Sequence, residues 1–413
     1  MSADRADEPR IMLAHGGGGV MMQELIGGLI LRHLGNPTLN RLEDAAVLAP
    51  CGPFDGTQGR PEHSRMGGAR LAFTTDAFVV KPMFFRGGDI GRLAVCGAVN
   101  DLAAVGAKPL ALSLSLVIEE GLAISVLDRV LQSVAATAAE AGVEVVTGDT
   151  KVVERGAADG LFLITAGLGA VYEGVNSSPA EVRPGDAVIV TGTLGDHGIA
   201  IISQRSGIEF ESPVQSDVAP LSGLLAHLLE ENGNSLHHQG TKTPRTEGSS
   251  CEASCRSWCL GDLVVKLRAA VHCMRDPTRG GTAAVLNEIA AAAKVEIEVE
   301  ESLLPIRPEV AGACDMLGFD PLCVPNEGRL IIFCAEAAAD ALVARLRSHP
   351  LGAGAVRIGS VKKLASGPEQ NRASAGPEPV EGRSRMGRVV LRTRVGGTRI
   401  VAMPYGEQLP RIC

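Results

Sequence analysis

Short apolar runs alternate along the chain with segments whose apolar residues recur at helical spacing, and this rhythm predicts a βα-rich protein. Ten runs predict strands, at residues 42–48, 71–76, 110–118, 143–149, 161–172, 187–191, 296–299, 330–334, 356–361 and 388–395. The last two are expected to form a strand pair. Helical patterns follow at residues 20–34, 91–105 and 126–141, with an Ala-rich one after Gly281. We therefore predict an α/β (α+β) fold.

Polar and restarting segments divide this pattern into domains. The pattern begins again at Arg183-Pro-Gly-Asp186, which predicts an N-terminal domain over residues 11–180 and a C-terminal domain over residues 181–395. Polar stretches at 50–69, 232–258 and 365–387 are expected to be insertions, and residues 1–10 a disordered leader. Residues 396–413 are expected to form a flexible tail, since Pro404, Gly406 and Pro410 oppose regular structure.

Composition narrows the class of protein. Of 413 residues, 45% are hydrophobic and only 3% aromatic, so the core must be built from small aliphatic side chains, as in layered α/β proteins. The net charge of −8 and the absence of a basic stripe argue against nucleic acid and membrane partners. The acidic N-terminus is unlike a signal peptide, and we expect a cytoplasmic protein. The ten cysteines are then expected to be reduced, and Cys251, Cys255 and Cys259 form only a weak metal-site candidate.

Four carboxylates in the first half share a setting that suits a hard cation. Each falls in or just after an apolar run, beside small residues: Asp44, Asp76, Asp101 and Asp149. Taken singly, each is better explained as a turn or cap residue. Together, carboxylates at strand ends can collect Mg²⁺ with water and phosphate oxygens.

Two weaker signals in the same half suggest phosphate. The glycines Gly16, Gly17, Gly18 and Gly19 precede a helix, so their backbone amides and the helix dipole could hold an anion. Lys151 follows Asp149 in a Gly-Asp-Thr-Lys sequence and could neutralise a phosphate, although an ordinary surface lysine is the default alternative.

The second half adds an acid, an arginine and a candidate base. Asp276 and Arg279 stand before paired glycines at a helix start, and Glu327 lies in a turn before a strand. These features indicate a phosphate- and metal-dependent site shared by both domains. The chain also ends on Cys413, a thiol that a mobile arm could deliver to such a site, although most termini are simply frayed.

These motifs resemble the aminoimidazole ribonucleotide synthetase-like (PurM-like) ATP enzymes over nearly the whole chain. The matching segments are Glu43-Asp-Ala-Ala46, Thr74-Thr-Asp76, Asn100-Asp-Leu-Ala103, Gly148-Asp-Thr-Lys151, Asp276-Pro-Thr-Arg-Gly-Gly281 and Pro325-Asn-Glu-Gly328. The ending Pro410-Arg-Ile-Cys413 resembles that of the carbamoyl-cysteine dehydratases of hydrogenase maturation. The three insertions depart from the expected pattern but leave the motifs in register.

The resemblance implies a two-domain PurM-like fold, a homodimer whose N-terminal sheets form a shared barrel, and an ATP-dependent reaction with Mg²⁺. It implies that a HypF-like carbamoyltransferase loads Cys413, that dehydration gives a thiocyanate, and that a HypC–HypD complex receives the cyanide. By this resemblance Cys413 is the acceptor of the carbamoyl group and Glu327 is the general base. Lys151 is expected to lie near the reacting group. Asn100, Asp276, Arg279 and the four glycines are nucleotide-contact candidates.

Two other functions stay open at this point. One is a small-molecule kinase or ligase of the same superfamily, similar to thiamine-monophosphate kinase or selenophosphate synthetase. The other is a catalytically silent scaffold that binds partners through its tail. The terminal Cys413 argues against the first, and the acids together with Lys151 and Glu327 argue against the second.

Overall fold

The computed structural model describes residues 11–12, 15, 19–48, 70–207, 214–230, 267–364, 387–405, 409 and 411–413. The leader, nearly all of the three predicted insertions, and Gly16, Gly17 and Gly18 lie outside the described residues, as do Cys251, Cys255 and Cys259. In chain order the described strands are β1 (Ala46–Leu48), β2 (Leu71–Phe78), β3 (Phe84–Phe85), β4 (Gly88–Asp89), β5 (Ala107–Glu119), β6 (Val145–Val153), β7 (Leu161–Val171), β8 (Asp186–Val190), β9 (Val271–Arg275), β10 (Val295–Glu300), β11 (Ile331–Ala335), β12 (Val356–Lys363), β13 (Arg388–Arg392) and β14 (Thr398–Ile400).

The first half forms a mixed sheet whose order is β1-β2-β7-β5-β6 among the described strands. Helices Ile90–Ala104 and Ile124–Ala141 pack together against it. The first of these helices is buried almost all round, as its run of Leu, Val and Ala predicts. β6 lies at the sheet edge, parallel to β5, and its residues Val145 to Val152 are all exposed.

The second half forms a larger sheet with the order β14-β13-β10-β12-β8-β11-β9 in the described part of the chain. β8 and β11 are central and their apolar residues are buried on both faces. Helix Gly281–Ala293 packs on one face, and helices Ser222–Leu229 and Ala339–Arg347 pack on the other. The chain thus passes from the first sheet to the second between Val171 and Asp186.

Two predictions about the end of the chain are wrong. The predicted pairing of strands 356–361 and 388–395 does not form, because β10 lies between β12 and β13 and pairs with both. The predicted tail from residue 396 begins too early, because β14 pairs with β13 and Val401 is buried beside it. The tail proper therefore starts after these residues.

One apolar cluster joins the two halves and the tail. Phe78 and Leu93 from the first half meet Ile199 and Val324 from the second, and Ile412 packs into the same cluster. The start of the N-terminal helix (Val20–Leu25) is tied to the tail base, since the backbone N–H of Val20 donates to the Pro404 carbonyl at 2.8 Å. Among the described residues, no helix has the length and apolar character needed to cross a bilayer.

Candidate functional site

Four aspartates from both halves line one cleft of about 700 Å³, together with Glu43 and Glu288. Asp44 lies in the turn before β1, Asp76 in β2, Asp101 in the last turn of helix Ile90–Ala104, and Asp276 directly after β9. One part of the lining is apolar, with Met22, Ile26, Val285 and Ala291 from the N-terminal helical segment and helix Gly281–Ala293, and polar or charged residues make up the remainder. The cleft therefore offers acidic groups beside an apolar wall.

Two arginines hold this acidic cluster together. The Arg275 guanidinium lies 2.7 Å from Asp44 and 3.2 Å from Glu288. Arg279 donates to Asp76 at 2.9 Å, and it keeps 38% of its side chain exposed. The Thr74 hydroxyl donates to Asp101 at 2.6 Å and so links β2 to the helix. Since acids outnumber these cations, the cluster keeps an excess of negative charge.

Burial and mutual repulsion raise the pKa values of these acids. Burial raises the pKa of Asp44 well above its usual range, against the lowering effect of Arg275. The pKa of Asp101 is also raised well above normal, first by burial and then by Asp276, Asp76 and Asp44. Burial raises the pKa of Asp276 to about 6. Such closely spaced, desolvated carboxylates favour a bound cation.

The donor set suits a magnesium ion that is completed by a nucleotide. The Oδ2 atom of Asp44 is buried without a hydrogen-bond partner. In the described ranges, no three His, Cys, Asp or Glu side chains are already arranged as a metal site. Mg²⁺ typically takes one or two carboxylates and fills its remaining positions with water and phosphate oxygens. The cleft fits that mode of binding better than a cage made of protein alone.

Glu327 is a buried acid that interacts electrostatically with Asp276 and Asp76 of the cluster. It is 2% exposed, and its Oε1 atom has no hydrogen-bond partner. Burial, followed by repulsion from Asp276 and Asp76, raises its pKa well above normal. The turn depends on Gly328, because a Cβ atom there would lie 1.9 Å from the Asp217 carbonyl oxygen. A carboxyl held in this way is suited to accept a proton at a reacting group.

The predicted nucleotide contact of Asn100 stays a prediction, and in this structure its side chain bonds to the backbone. Its amide group donates to the carbonyl oxygens of Glu327 at 3.0 Å and Ala219 at 3.1 Å. Its oxygen accepts from the Leu221 N–H at 2.8 Å, and the residue is 1% exposed. Asn100 therefore fixes the backbone of the Glu327 turn.

Asp149 and Lys151 do not join the cluster within one chain, contrary to the predicted convergence. Both lie on the exposed edge strand β6, where they form a surface ion pair at 3.1 Å. The Lys151 side chain, which donates a hydrogen bond to Asp149, lowers the pKa of that carboxyl. Neither residue lines the cleft. The reason is topological: among the described strands β6 pairs only with β5, at the sheet edge opposite to β1 and β2.

The glycine-rich anion site is also changed by the structure. Gly19, the one member described, is buried and precedes helix Val20–Leu25. The first helical amides are already used, because Val20 and Met21 donate to the carbonyls of Pro404 and Tyr405. In this arrangement those two amides bind the tail base and are not free for phosphate.

The tail end, expected to be flexible, is docked at the edge of the site. The backbone N–H of Val79, just after β2, donates to the Cys413 carbonyl oxygen at 3.2 Å. Ile412 is 2% exposed. The pKa of Arg279 is raised, and the negative charge of Cys413 is the largest cause. The terminal residue therefore lies within electrostatic reach of the arginine that pairs with Asp76.

Several residues of this region were not predicted from sequence. Arg275 clamps Asp44, Asp217 binds the Asn326-Glu327 turn, and His197 contacts the Ile412 carbonyl. The Gly-rich stretch at residues 192–198, which contains His197, is typical of a strand-to-helix turn, but that pattern names no contact partner. Their partners lie more than a hundred residues away along the chain, so local patterns could not pair them.

The comparisons with known proteins agree with this geometry. The family model of the AIR synthase related protein, N-terminal domain, matches residues 42–171, and that of its C-terminal domain matches residues 259–367. A carbamoyl dehydratase HypE from Rhizobium leguminosarum bv. viciae is 40% identical over 404 residues, covering 98% of this chain and 95% of that protein.

Solved structures show the same relationship. A crystal structure of a HypE–HypF complex matches with a TM-score of 0.71 and 35% identity, covering 92% of this chain and 99% of that one. A HypE crystal structure in complex with ATP matches with a TM-score of 0.68 and 40% identity, covering 98% and 100%. The two-domain PurM-like fold is thus confirmed, and the chain belongs to the HypE group of the AIR synthase-related family.

Proposed function

We propose that this chain is an ATP-dependent carbamoyl dehydratase that uses its own C-terminal cysteine as the carrier of the substrate. The group on Cys413 would become a thiocyanate, which supplies a cyanide ligand for the iron of [NiFe]-hydrogenase. One observation carries the proposal: the docked C-terminus brings Cys413 within electrostatic reach of Arg279, which lines the acidic cleft and pairs with Asp76.

The chemistry needs a phosphoryl group because an amide oxygen is a poor leaving group. The carbamoyl oxygen attacks the γ-phosphorus of ATP, and the bond to ADP breaks. Loss of one N–H proton leaves an imidate phosphate on the sulfur. Removal of the second N–H proton and departure of phosphate then form the carbon–nitrogen triple bond. ADP, phosphate and a protein thiocyanate result, so the carbamoyl oxygen leaves in the phosphate.

The residues take complementary roles in this sequence. Glu327, with a raised pKa and an unpartnered oxygen, is the base that takes the N–H proton. Arg279 faces both Cys413 and Asp76, where it can neutralise the transferring phosphoryl group. The apolar wall of the cleft suits the adenine ring, and Asp276 contributes to the acidic side beside it.

Magnesium fits the acidic side of the cleft. Asp44, Asp76 and Asp101 are the residues that we propose to hold it, together with oxygens of the nucleotide. When bound, the ion supplies charge stabilisation for phosphoryl transfer. Its presence would also offset the repulsion that raises the pKa values of these carboxyls.

We infer three protein partners. A HypF-like carbamoyltransferase would load Cys413, a HypC–HypD complex would take the cyanide, and a second copy would cover the exposed β6 edge. Asp149 and Lys151 could reach a nucleotide only across such a homodimer, because both lie on that edge. This division of labour belongs in the cytoplasm, where the hydrogenase iron site is assembled.

The alternative of a small-molecule kinase is less well supported. The terminal cysteine lies within electrostatic reach of Arg279, so the chain itself can supply the acceptor that a kinase would have to bind separately. A likeness to the kinases would explain the cleft but would leave the buried Ile412 and the docked terminus without a role.

The proposal is tested by comparing ATP turnover of wild type and Cys413→Ala after incubation with the carbamoyl donor system. We expect one ADP per loaded chain in wild type and only background hydrolysis in the variant. ATP binding should be equal in both, which controls for folding. Turnover by Cys413→Ala at the wild-type rate would contradict the proposal.

A further inference from the structure

The last three residues dock by adding a short strand to the end of β2. The backbone N–H groups of Val79 and Lys81 donate to the carbonyl oxygens of Cys413 at 3.2 Å and Arg411 at 3.1 Å. The donors alternate along one edge, as in the addition of a peptide strand to a sheet. These bonds reach only the backbone of the tail, so they persist whichever group the thiol carries.

His197 contacts the Ile412 carbonyl, which lies between those of Arg411 and Cys413, from the other side of the tail. Its Nε2 atom lies 3.0 Å from the Ile412 oxygen, which can only accept, so Nε2 must carry the proton. Its Nδ1 atom then accepts from the Ser216 hydroxyl at 2.8 Å, and the Ser216 oxygen in turn accepts from the Val218 N–H at 3.1 Å. Burial lowers the pKa of His197, which favours this neutral form.

Side-chain contacts add selectivity to the backbone bonds. Arg411 forms an ion pair with Asp159, and its Nε donates to the Val79 carbonyl at 3.1 Å. The Arg205 guanidinium bridges the carbonyls of Lys81 and Arg411, at 2.8 Å from Nε and 2.6 Å from Nη2. Ile412 fills the apolar cluster between the domains. Each of the three terminal residues therefore has its own contact.

The turn that carries His197 also binds the segment that carries Glu327. Gly195 N–H donates to the Asn326 side-chain oxygen at 2.9 Å, and Gly198 N–H donates to the Pro325 carbonyl at 3.1 Å. A Cβ atom at position 198 would lie 2.5 Å from Val324, which explains the glycine. One rigid turn thus fixes the tail and the candidate base relative to each other.

We infer that His197 is a positioning residue that recognises the backbone of the docked tail and sets the distance between Cys413 and Glu327. This inference deepens the proposed function and rests on it for its catalytic consequence. Docking itself is independent of turnover. The Gly-rich turn at 192–198, which the sequence marks without assigning a role, is therefore the receptor for the chain's own C-terminus.

Hydrogen exchange of the full chain, followed by mass spectrometry, tests the docking. His197→Phe keeps an aromatic ring but removes the donor, whereas His197→Gln keeps an amide donor at a similar reach. We expect the amides of Val79 and Lys81 to exchange about fivefold faster in His197→Phe, as the loss of one neutral hydrogen bond predicts. His197→Gln should match wild type. Unchanged protection in His197→Phe, or fast exchange in His197→Gln, would overturn the inference.

A surface variant covers the case in which His197→Phe does not fold. Asp159→Asn removes the ion pairs of Asp159 with Arg411 and with the Lys81 side chain at a site that is 40% exposed, so folding is spared. It should also speed exchange of the Val79 and Lys81 amides, and wild-type protection in it would count against a docked tail.

Single-turnover dehydration of the carbamoylated chain supplies the second readout. A positioning role lowers the rate in His197→Phe and leaves the KM for ATP unchanged, with recovery in His197→Gln. A fall in rate that comes with a raised KM would instead indicate general damage and overturn the role. If wild type fails to lose water with ATP, the proposed function fails, while hydrogen exchange still decides the docking.

Discussion

At the residue scale, the site is governed by carboxyls that are buried without enough cationic partners. Glu327 has an unpartnered oxygen, and Asp44, Asp101 and Asp276 repel one another across the cleft. Repulsion of this kind costs stability and is typical of sites that bind a cation or transfer a proton. Removing one of these acids should therefore lower the reaction rate and raise the free energy of unfolding of the nucleotide-free protein.

The role of Glu327 as base is tested by Glu327→Gln, which keeps the shape and the backbone bonds of the turn. We expect ATP affinity to be unchanged and the dehydration rate to fall by about a hundredfold or more, since general bases typically contribute that much. Carbamoyl loading of Cys413 serves as the control and should be normal. Dehydration at the wild-type rate would exclude Glu327 as the base.

Because ionised carboxylates in the cleft destabilise the folded protein, Asp276→Asn should change the free energy of unfolding in a pH-dependent way. The folded-state pKa of Asp276 is raised to about 6, so its ionised form opposes folding at pH values above 6. Protonation removes this cost as the pH falls toward the unfolded pKa of about 4. Without nucleotide or metal, the variant should be more stable than wild type by about 3 kcal/mol at pH 7.5, from the size of the shift.

The denaturation midpoint in urea is the measurement, and the difference between the two proteins should shrink when the pH is lowered to about 4.5. An equal difference at both pH values would show that the ionised carboxylate of Asp276 is not the cause.

At the element scale, local sequence patterns predicted the helices correctly, but they failed for strand bounds and strand pairing, which depend on residues far away along the chain. The helices predicted at 91–105 and 126–141 are confirmed as Ile90–Ala104 and Ile124–Ala141, since their periodicity is long and regular. The strand expected from residue 42 shortens to β1, because Leu42 adopts a left-handed conformation and Asp44 turns into the cleft. The β12–β13 pair was wrong because β10, from far upstream, pairs between them.

The candidate site follows the same rule. The sequence identified Asp44, Asp76, Asp101 and Asp276, because each lies in or beside a short apolar or Gly-rich motif, and the structure brings these four into one cleft. It did not show that Asp149 lies on an edge strand outside this cleft, since no local signal tells an edge strand from a central one.

Close backbone contact in the Glu327 turn predicts a large effect of Gly328→Ala. The added Cβ would meet the Asp217 oxygen at 1.9 Å, so the turn must shift. We expect a loss of about 3 kcal/mol in the free energy of unfolding, typical of overpacking, together with weaker catalysis. The matched control is Gly312→Ala in helix Pro308–Leu317, where a Cβ meets nothing within 4 Å. That variant should be neutral or slightly stabilising in thermal unfolding; if both variants behave alike, contact at Gly328 is not limiting.

At the scale of the whole molecule, the exposed sheet edge formed by β6 is the feature that the two domains and the docked tail leave uncovered among the described residues. β6 presents an unpaired edge with Val146 62% and Val152 68% exposed. Exposed apolar edge strands are normally covered by another chain or element. The second copy that we propose on this edge would account for the exposure and would bring Asp149 and Lys151 into contact with it.

The homodimer is tested by Val146→Lys, which places a charge on that edge. We expect the mass in solution, measured by light scattering after size-exclusion chromatography, to fall from that of a dimer to that of a monomer. Met316→Lys is the control, because Met316 is equally exposed at 62% but lies on a helix of the second domain. Loss of the dimer in the control, or a dimer that persists in Val146→Lys, would argue against β6 as the interface.

The central proposal concerns the fate of the group on Cys413, and the mass of the C-terminal peptide tests it most directly. The full chain is loaded with the carbamoyl donor system, divided, and incubated with or without ATP before digestion. We predict that the peptide gains a carbamoyl group in both samples and loses one water only where ATP is present. A carbamoyl adduct that keeps its water with ATP, or loses it equally without ATP, would contradict the proposed dehydratase.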